Sequence, residues 1–108
     1  MKVLILDNNL MWTKRLEKSL EALGHTFVTS TIVVDGEFDK AIVNLSNSDL
    51  TPFDSVKVLR DRGVAVIGHA GHKEKHIWEL GRQAGCDIIA SNSELTFKLP
   101  QLLGTGEG

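Results

Sequence analysis

Short unbroken apolar runs along this chain are separated by longer stretches whose apolar residues recur every three or four positions. Val3–Leu6 is such a run, as expected of a strand buried on both faces. Asn9 then caps a helix over about Leu10–Leu23, with Trp12, Leu16, Leu20 and Leu23 on one stripe and Gly24 as a left-handed stop. Strands follow near Thr26–Ser30 and at Lys40–Leu45. Thr51-Pro52-Phe53-Asp54 reads as a helix start, with Thr as the cap, Pro in the first helical position and Asp at the positive end of the dipole. That helix runs to about Arg62 and stops at Gly63. Val64–Ile67 is a fourth strand, His72–Ala84 a helix ended by Gly85, and Asp87–Ala90 a fifth strand. Ser91-Asn92-Ser93-Glu94 opens a short last helix that Pro100 should kink or interrupt.

This alternation implies a three-layer, doubly wound α/β fold with a parallel five-stranded sheet and helices on both faces. One stretch resists the scheme. Between the second and third strands only about Thr31–Phe38 is available, with β-like Thr31-Ile32-Val33-Val34 and an Asp35-Gly36 turn. The helix expected there should be short or absent.

Length and composition narrow the class. The 108 residues allow one domain, expected over 1–103 with a flexible tail at 104–108. Hydrophobic residues at 42%, charged residues at 24% and a net charge of -2 give no general electrostatic reason to bind nucleic acid or an anionic membrane. No apolar run approaches the roughly 20 residues that span a bilayer. The first residues show no signal-peptide pattern, and the lone Cys86 excludes an intrachain disulfide, so a reducing, cytoplasmic setting is the expectation.

Chemistry should sit at the C-terminal ends of the strands, where open α/β sheets place their ligands. The residues there are Asp7 and Asn8 after the first strand, Asn44 at the end of the third, His69 after the fourth and Asn92 after the fifth. In order and landmarks nearly the whole chain resembles the receiver domain of bacterial response regulators. That family carries an acidic pair, a phosphorylatable Asp, a Ser or Thr, and a Lys at these four places. Asp7 and Asn8 fall on the acidic pair, Asn44 on the phosphoacceptor, His69 on the hydroxyl and Asn92 on the lysine (a one-residue deletion would substitute Ser91). Gly85-Cys86-Asp87 resembles the family's Gly-Ala-Asp, and Ser93 stands in place of its Pro. The resemblance implies a flavodoxin-like sheet of order 2-1-3-4-5. It also implies a degenerate member, a pseudo-receiver, because only Asp7 keeps its chemistry. Phosphoryl transfer to a side chain needs an anionic nucleophile and a hard cation held by carboxylates, and Asn8 and Asn44 supply neither.

Other residues carry weaker signals. His72 and His76, four apart on the expected helix, with His69 nearby, have the residue type of a zinc site, but Lys73 and Lys75 disfavour a cation and solvated surface histidines are the expectation. His25 is read as a loop residue. Gly68-His69-Ala70-Gly71 lacks the lysine of a P-loop and reads as a loop needing positive φ. Cys86 reads as a small core residue, and Lys14, Arg15 and Lys18 as a solvated face. Trp78, with His72 and His76, marks an expected interaction surface. The expected function is a phosphorylation-independent protein–protein interaction module in signal transduction. It is not expected to be an enzyme, carries no cofactor or metal, and binds a protein partner or a second copy rather than nucleic acid or membrane. Alternatives are a divergent phosphorelay receiver using Asp7 or another acid, and a small-ligand or metal-binding enzyme at the His69–His76 loop.

Overall fold

A computed structural model describes residues 1–104. Five parallel strands, β1 (Lys2–Leu6), β2 (Thr26–Ser30), β3 (Lys40–Asn44), β4 (Ala65–Ala70) and β5 (Ile88–Ser91), form one sheet in the order β2-β1-β3-β4-β5, as expected. The helices are α1 (Leu10–Ala22), α2 (Pro52–Asp61), α3 (Lys75–Ala84), α4 (Asn92–Phe97) and α5 (Leu99–Gly104), with a single 3-10 turn at Ser48–Leu50.

Alternate residues of the buried strands feed two cores. Leu4, Leu6, Ala41, Val43 and Val66 face α2 and α3, where Val56, Leu59 and Ala84 close the first core. Val3, Ile5, Ile42 and Ile67 face the other way, onto Leu16 and Leu20 of α1 and onto Leu95, Leu99 and Leu103 of the last two helices. No helix lies between β2 and β3, in agreement with the short crossover. Val33, Val34 and Phe38 from this non-helical segment pack on the first core and do the covering a helix would do. Arg62 Nη1 donates to Val34 O at 3.0 Å, and the backbone N–H of Lys2 donates to Asp39 Oδ2 at 2.7 Å, so both ends of the strap are held.

Several boundaries move from the pattern-based expectation. The β4 strand starts one residue later than expected and runs three further, so Gly68, His69 and Ala70 are strand residues paired with β3 and β5 rather than a loop. Backbone N–H to C=O ladder bonds on both sides hold the glycine-rich stretch extended. The α3 helix begins at Lys75, so His72 is not on it and the His72–His76 helical pair does not exist. Residues 71–74 instead form a turn, in which Glu74 Oε1 accepts from Gly71 N at 2.8 Å and from Ser46 Oγ at 2.8 Å. Leu23 lies past α1 and is exposed, outside the buried stripe. Thr51 makes no side-chain cap; it sits in the left-handed region (φ 45°), with Pro52 starting α2 behind it. The chain breaks its last helix at Lys98, and Pro100 falls in the first turn of α5, where a missing N–H costs nothing. Gly104 ends α5, and the rest of the expected tail, 105–108, lies outside the described residues.

Candidate functional site

The parallel sheet brings Asp7, Asn44 and His69 side by side because they end or follow three adjacent strands, with Asn44 directly opposite His69 in the β3–β4 register. Asp7 is 3% exposed. Its Oδ1 accepts from the backbone N–H of Asn8 at 2.8 Å and of Asn9 at 3.1 Å, and its Oδ2 accepts from Asn44 Nδ2 at 3.2 Å. Asn44 is used at both ends, since its Oδ1 accepts from Ser46 N at 3.0 Å. The Asn44 amide thus sits on the Asp7 carboxylate as a neutral donor where a cation could otherwise stand.

His69 is 2% exposed. Its Nδ1 meets Asn92 Oδ1 at 2.8 Å, and its ring lies against the Trp12 indole, 5.5 Å between centroids and tilted by 35°. Burial pushes the His69 pKa below its usual value, against the opposing pull of the Asn92 hydrogen bond and the Asp7 charge. The imidazole is therefore neutral at physiological pH. Asn92 comes into place because Ser91 caps α4: Ser91 Oγ accepts from Glu94 N at 3.1 Å while Ser91 N donates to Glu94 Oε1 at 3.0 Å. That closed box occupies Ser91, and it leaves Asn92 as the β5-end residue of the site.

Asn9, Trp12, Asn44, His69 and Asn92 line a cleft of about 160 Å³ over Asp7. Of the residues expected from sequence, Asp7, Asn44, His69 and Asn92 are brought together. Asn8 is not in the wall; its Oδ1 accepts from Asn47 Nδ2 at 2.7 Å on the β3–α2 connection. Asn9 and Trp12 are wall residues that the pattern marked only as a cap and a core position. Asn9 does cap α1, its Oδ1 accepting from Trp12 N at 3.1 Å. The signal that could have singled it out is its place two residues after Asp7 on the first strand-to-helix loop.

Trp78 and His72 lie elsewhere, on a larger groove of about 460 Å³ shared with Arg82 and Glu94, and His76 is not part of its lining. Trp78 is half-buried against the first core, and its Nε1 donates to Gly71 O at 3.0 Å. Among the described residues no three His, Cys, Asp or Glu side chains are placed to share a metal. His25 Nδ1 lies 3.0 Å from the amino group of Met1. Burial raises the Cys86 thiol to about 11, which keeps it protonated and a poor nucleophile.

A buried carboxylate under a cleft at the C-terminal ends of the strands raises the question of Mg²⁺, a hard ion that wants several oxygen ligands including carboxylates. The donor set here does not fit one. Asp7 is the sole carboxylate of the site, its two oxygens already accept three hydrogen bonds, and the five wall residues are three amides, an imidazole and an indole.

No protein-family model matches the sequence, and no curated protein matches it. Solved structures do match in shape. The receiver domain of a sensor histidine kinase from Pseudomonas aeruginosa, with magnesium in its active-site cleft, superposes with a TM-score of 0.82 at 16% identity, covering 95% of this chain and 93% of that one. A Burkholderia pseudomallei response regulator carrying a phosphorylated aspartic acid, a calcium ion and citrate matches with a TM-score of 0.82 at 15% identity, over 96% of this chain and 66% of that one. The receiver domain of a Francisella response regulator gives 0.72 at 17% identity, over 94% of both. The fold is that of response-regulator receiver domains.

Proposed function

We propose that this chain is a receiver-type signalling domain that acts by non-covalent contact, without aspartyl phosphorylation, as a regulatory partner-binding module. The observation that supports it most is the Asn44 amide at the C-terminal end of β3, donating to Asp7 Oδ2 at 3.2 Å. An amide oxygen bears no charge and is a weak nucleophile, so the position facing the cleft from the central strand cannot attack a phosphoryl group. The wall adds no cation to stabilise an acyl phosphate, which receiver chemistry would need. A phosphorelay routed through Asp7 is disfavoured because that carboxylate is buried and holds two backbone N–H groups and the Asn44 amide. A metal-binding enzyme at residues 69–76 is disfavoured by the separation of His69, in the cleft, from His72, on the other groove.

The test is an amide NMR titration of the labelled chain with Mg²⁺ and then beryllofluoride, a mimic of the acyl phosphate. The expected result is a well-dispersed spectrum that does not respond. Saturable shifts clustered at Asp7, Asn44, His69 and Asn92 would overturn the reading in favour of a divergent phosphorelay receiver.

A further inference from the structure

The cleft leaves hydrogen-bonding capacity unused at a buried side chain. His69 is 2% exposed, and its Nδ1 is engaged by Asn92 Oδ1, so in the neutral ring Nδ1 carries the hydrogen and Nε2 a lone pair. No described residue bonds that second nitrogen. Asn92 presents its Oδ1 to His69 and keeps Nδ2 without a protein partner; Asn9 uses its Oδ1 to cap α1 and likewise keeps Nδ2. The wall therefore offers one acceptor and two amide donors beside the Trp12 indole.

We propose that this cleft binds a small neutral heterocycle carrying an amide edge, an N–H beside a C=O. The ligand N–H donates to His69 Nε2, its carbonyl accepts from both Asn92 Nδ2 and Asn9 Nδ2, one on each lone pair, and its ring lies against Trp12. This rests on the reading above that the pocket does no phosphoryl chemistry. Charge selects the class. An anion finds no cation in the wall and the Asp7 carboxylate beneath it, whereas a bare cation finds a single, buried carboxylate that already accepts three hydrogen bonds. A purely apolar molecule would strip water from His69 Nε2 and the amides and give nothing back. Size selects further: a cleft of about 160 Å³ suits a single ring rather than a larger ligand.

The experiment is an NMR titration of the labelled full chain with uracil and with nicotinamide, alongside orotate, which is uracil bearing a carboxylate. The expected result is saturable shifts at the Asn9 and Asn92 side-chain amides and at His69 with the neutral rings, in the millimolar range or tighter, and at least about tenfold weaker binding of orotate. Asn9→Ser keeps the α1 cap but removes the Nδ2 amide and leaves a hydroxyl too short to take its place, and His69→Phe keeps a ring against Trp12 but removes the acceptor; each should weaken uracil at least about fivefold. The inference is overturned by the absence of saturable shifts below about 10 mM, by orotate binding as well as uracil, or by unchanged binding in Asn9→Ser, which decides the matter if His69→Phe fails to fold. Beryllofluoride run in parallel separates the two claims. A response to it removes the non-phosphorylating reading itself, whereas silence to both it and the rings removes only the ligand inference.

Discussion

His69 is the residue whose surroundings have the clearest thermodynamic consequence. It ties β4 to α4 through Asn92 and to α1 through Trp12, and burial holds its pKa below the usual 6.5. In the unfolded chain the same ring takes up a proton near 6.5, so below that pH the unfolded state binds more protons than the folded one. Its contribution is therefore fully present above 6.5 and is lost as the pH falls from there through the lower folded pKa. Asp7 is the nearby charge, and its attraction limits the loss without reversing it. Urea midpoints at about pH 7.5 and 5.5 should fall further in the wild type than in His69→Phe. His25, His72 and His76 are present in both chains and cancel in that comparison, so equal slopes would remove His69 as the titrating group. The neighbouring Trp12 Nε1 is buried without a partner, an unmet donor that costs about 1–3 kcal/mol and leaves this corner less stable than its packing alone would suggest.

Among the elements, β4 lies so close under the Leu45 and Cys86 side chains that Gly68 permits no side chain of its own. A Cβ at Gly68 would lie 2.7 Å from Leu45 Cδ1 and 2.8 Å from Cys86 Sγ. Leu45 is 1% exposed, so it has nowhere to swing. Gly68→Ala should therefore destabilise the domain by about 1–3 kcal/mol in urea unfolding, although alanine would otherwise suit an extended strand better than glycine. This packing also explains what the chain's pattern did and did not make legible. The alternation of strands and helices and the missing helix between β2 and β3 followed from apolar runs and an eight-residue gap, which are local signals, whereas the strand order came from the resemblance to receiver domains. The Gly68–Gly71 stretch looked like a loop because glycine composition carries no information about the neighbours pairing with it on both sides. The start of α3 was misplaced because nothing in His72-Lys73-Glu74 forbids helix. The turn is closed by Glu74 N on Gly71 O at 3.0 Å and held by the long-range bond from Ser46 Oγ to Glu74 Oε1, with Gly71 N on the same oxygen. Thr51 had the composition of a cap, yet it adopts φ 45° with no side-chain bond to α2. At the site, residues on strand ends were legible because the sheet fixes their neighbours. Trp12 was not, since its helical spacing marks a buried face without saying that His69 is what it meets.

For the molecule as a whole, the cleft is part of what holds the strand ends together, so the residues that line the site and the stability of the fold are coupled. Asn44 Nδ2 on Asp7 Oδ2 links β3 to β1 across the point where the chain switches sides of the sheet. Asn44→Asp keeps the shape and replaces that donor with a second carboxylate at the 3.2 Å contact. Two like charges there should destabilise the variant by about 1–3 kcal/mol at neutral pH. One carboxyl of the pair then has a folded pKa above its unfolded value, so the deficit relative to wild type is largest above that raised pKa and shrinks as the pH falls through it. A divalent cation should do the same work as the proton. Millimolar Mg²⁺ is expected to raise the melting temperature of Asn44→Asp and to leave the wild type unchanged, because only the variant offers it two carboxylates. A gain in the wild type as well would mean that Asp7 among amides is already a cation site, against the reading above. A variant that responds to pH but not to Mg²⁺ would mean that two carboxylates at Asp7 and position 44 do not by themselves make a cation site while Asn8 is turned onto Asn47 and away from the cleft.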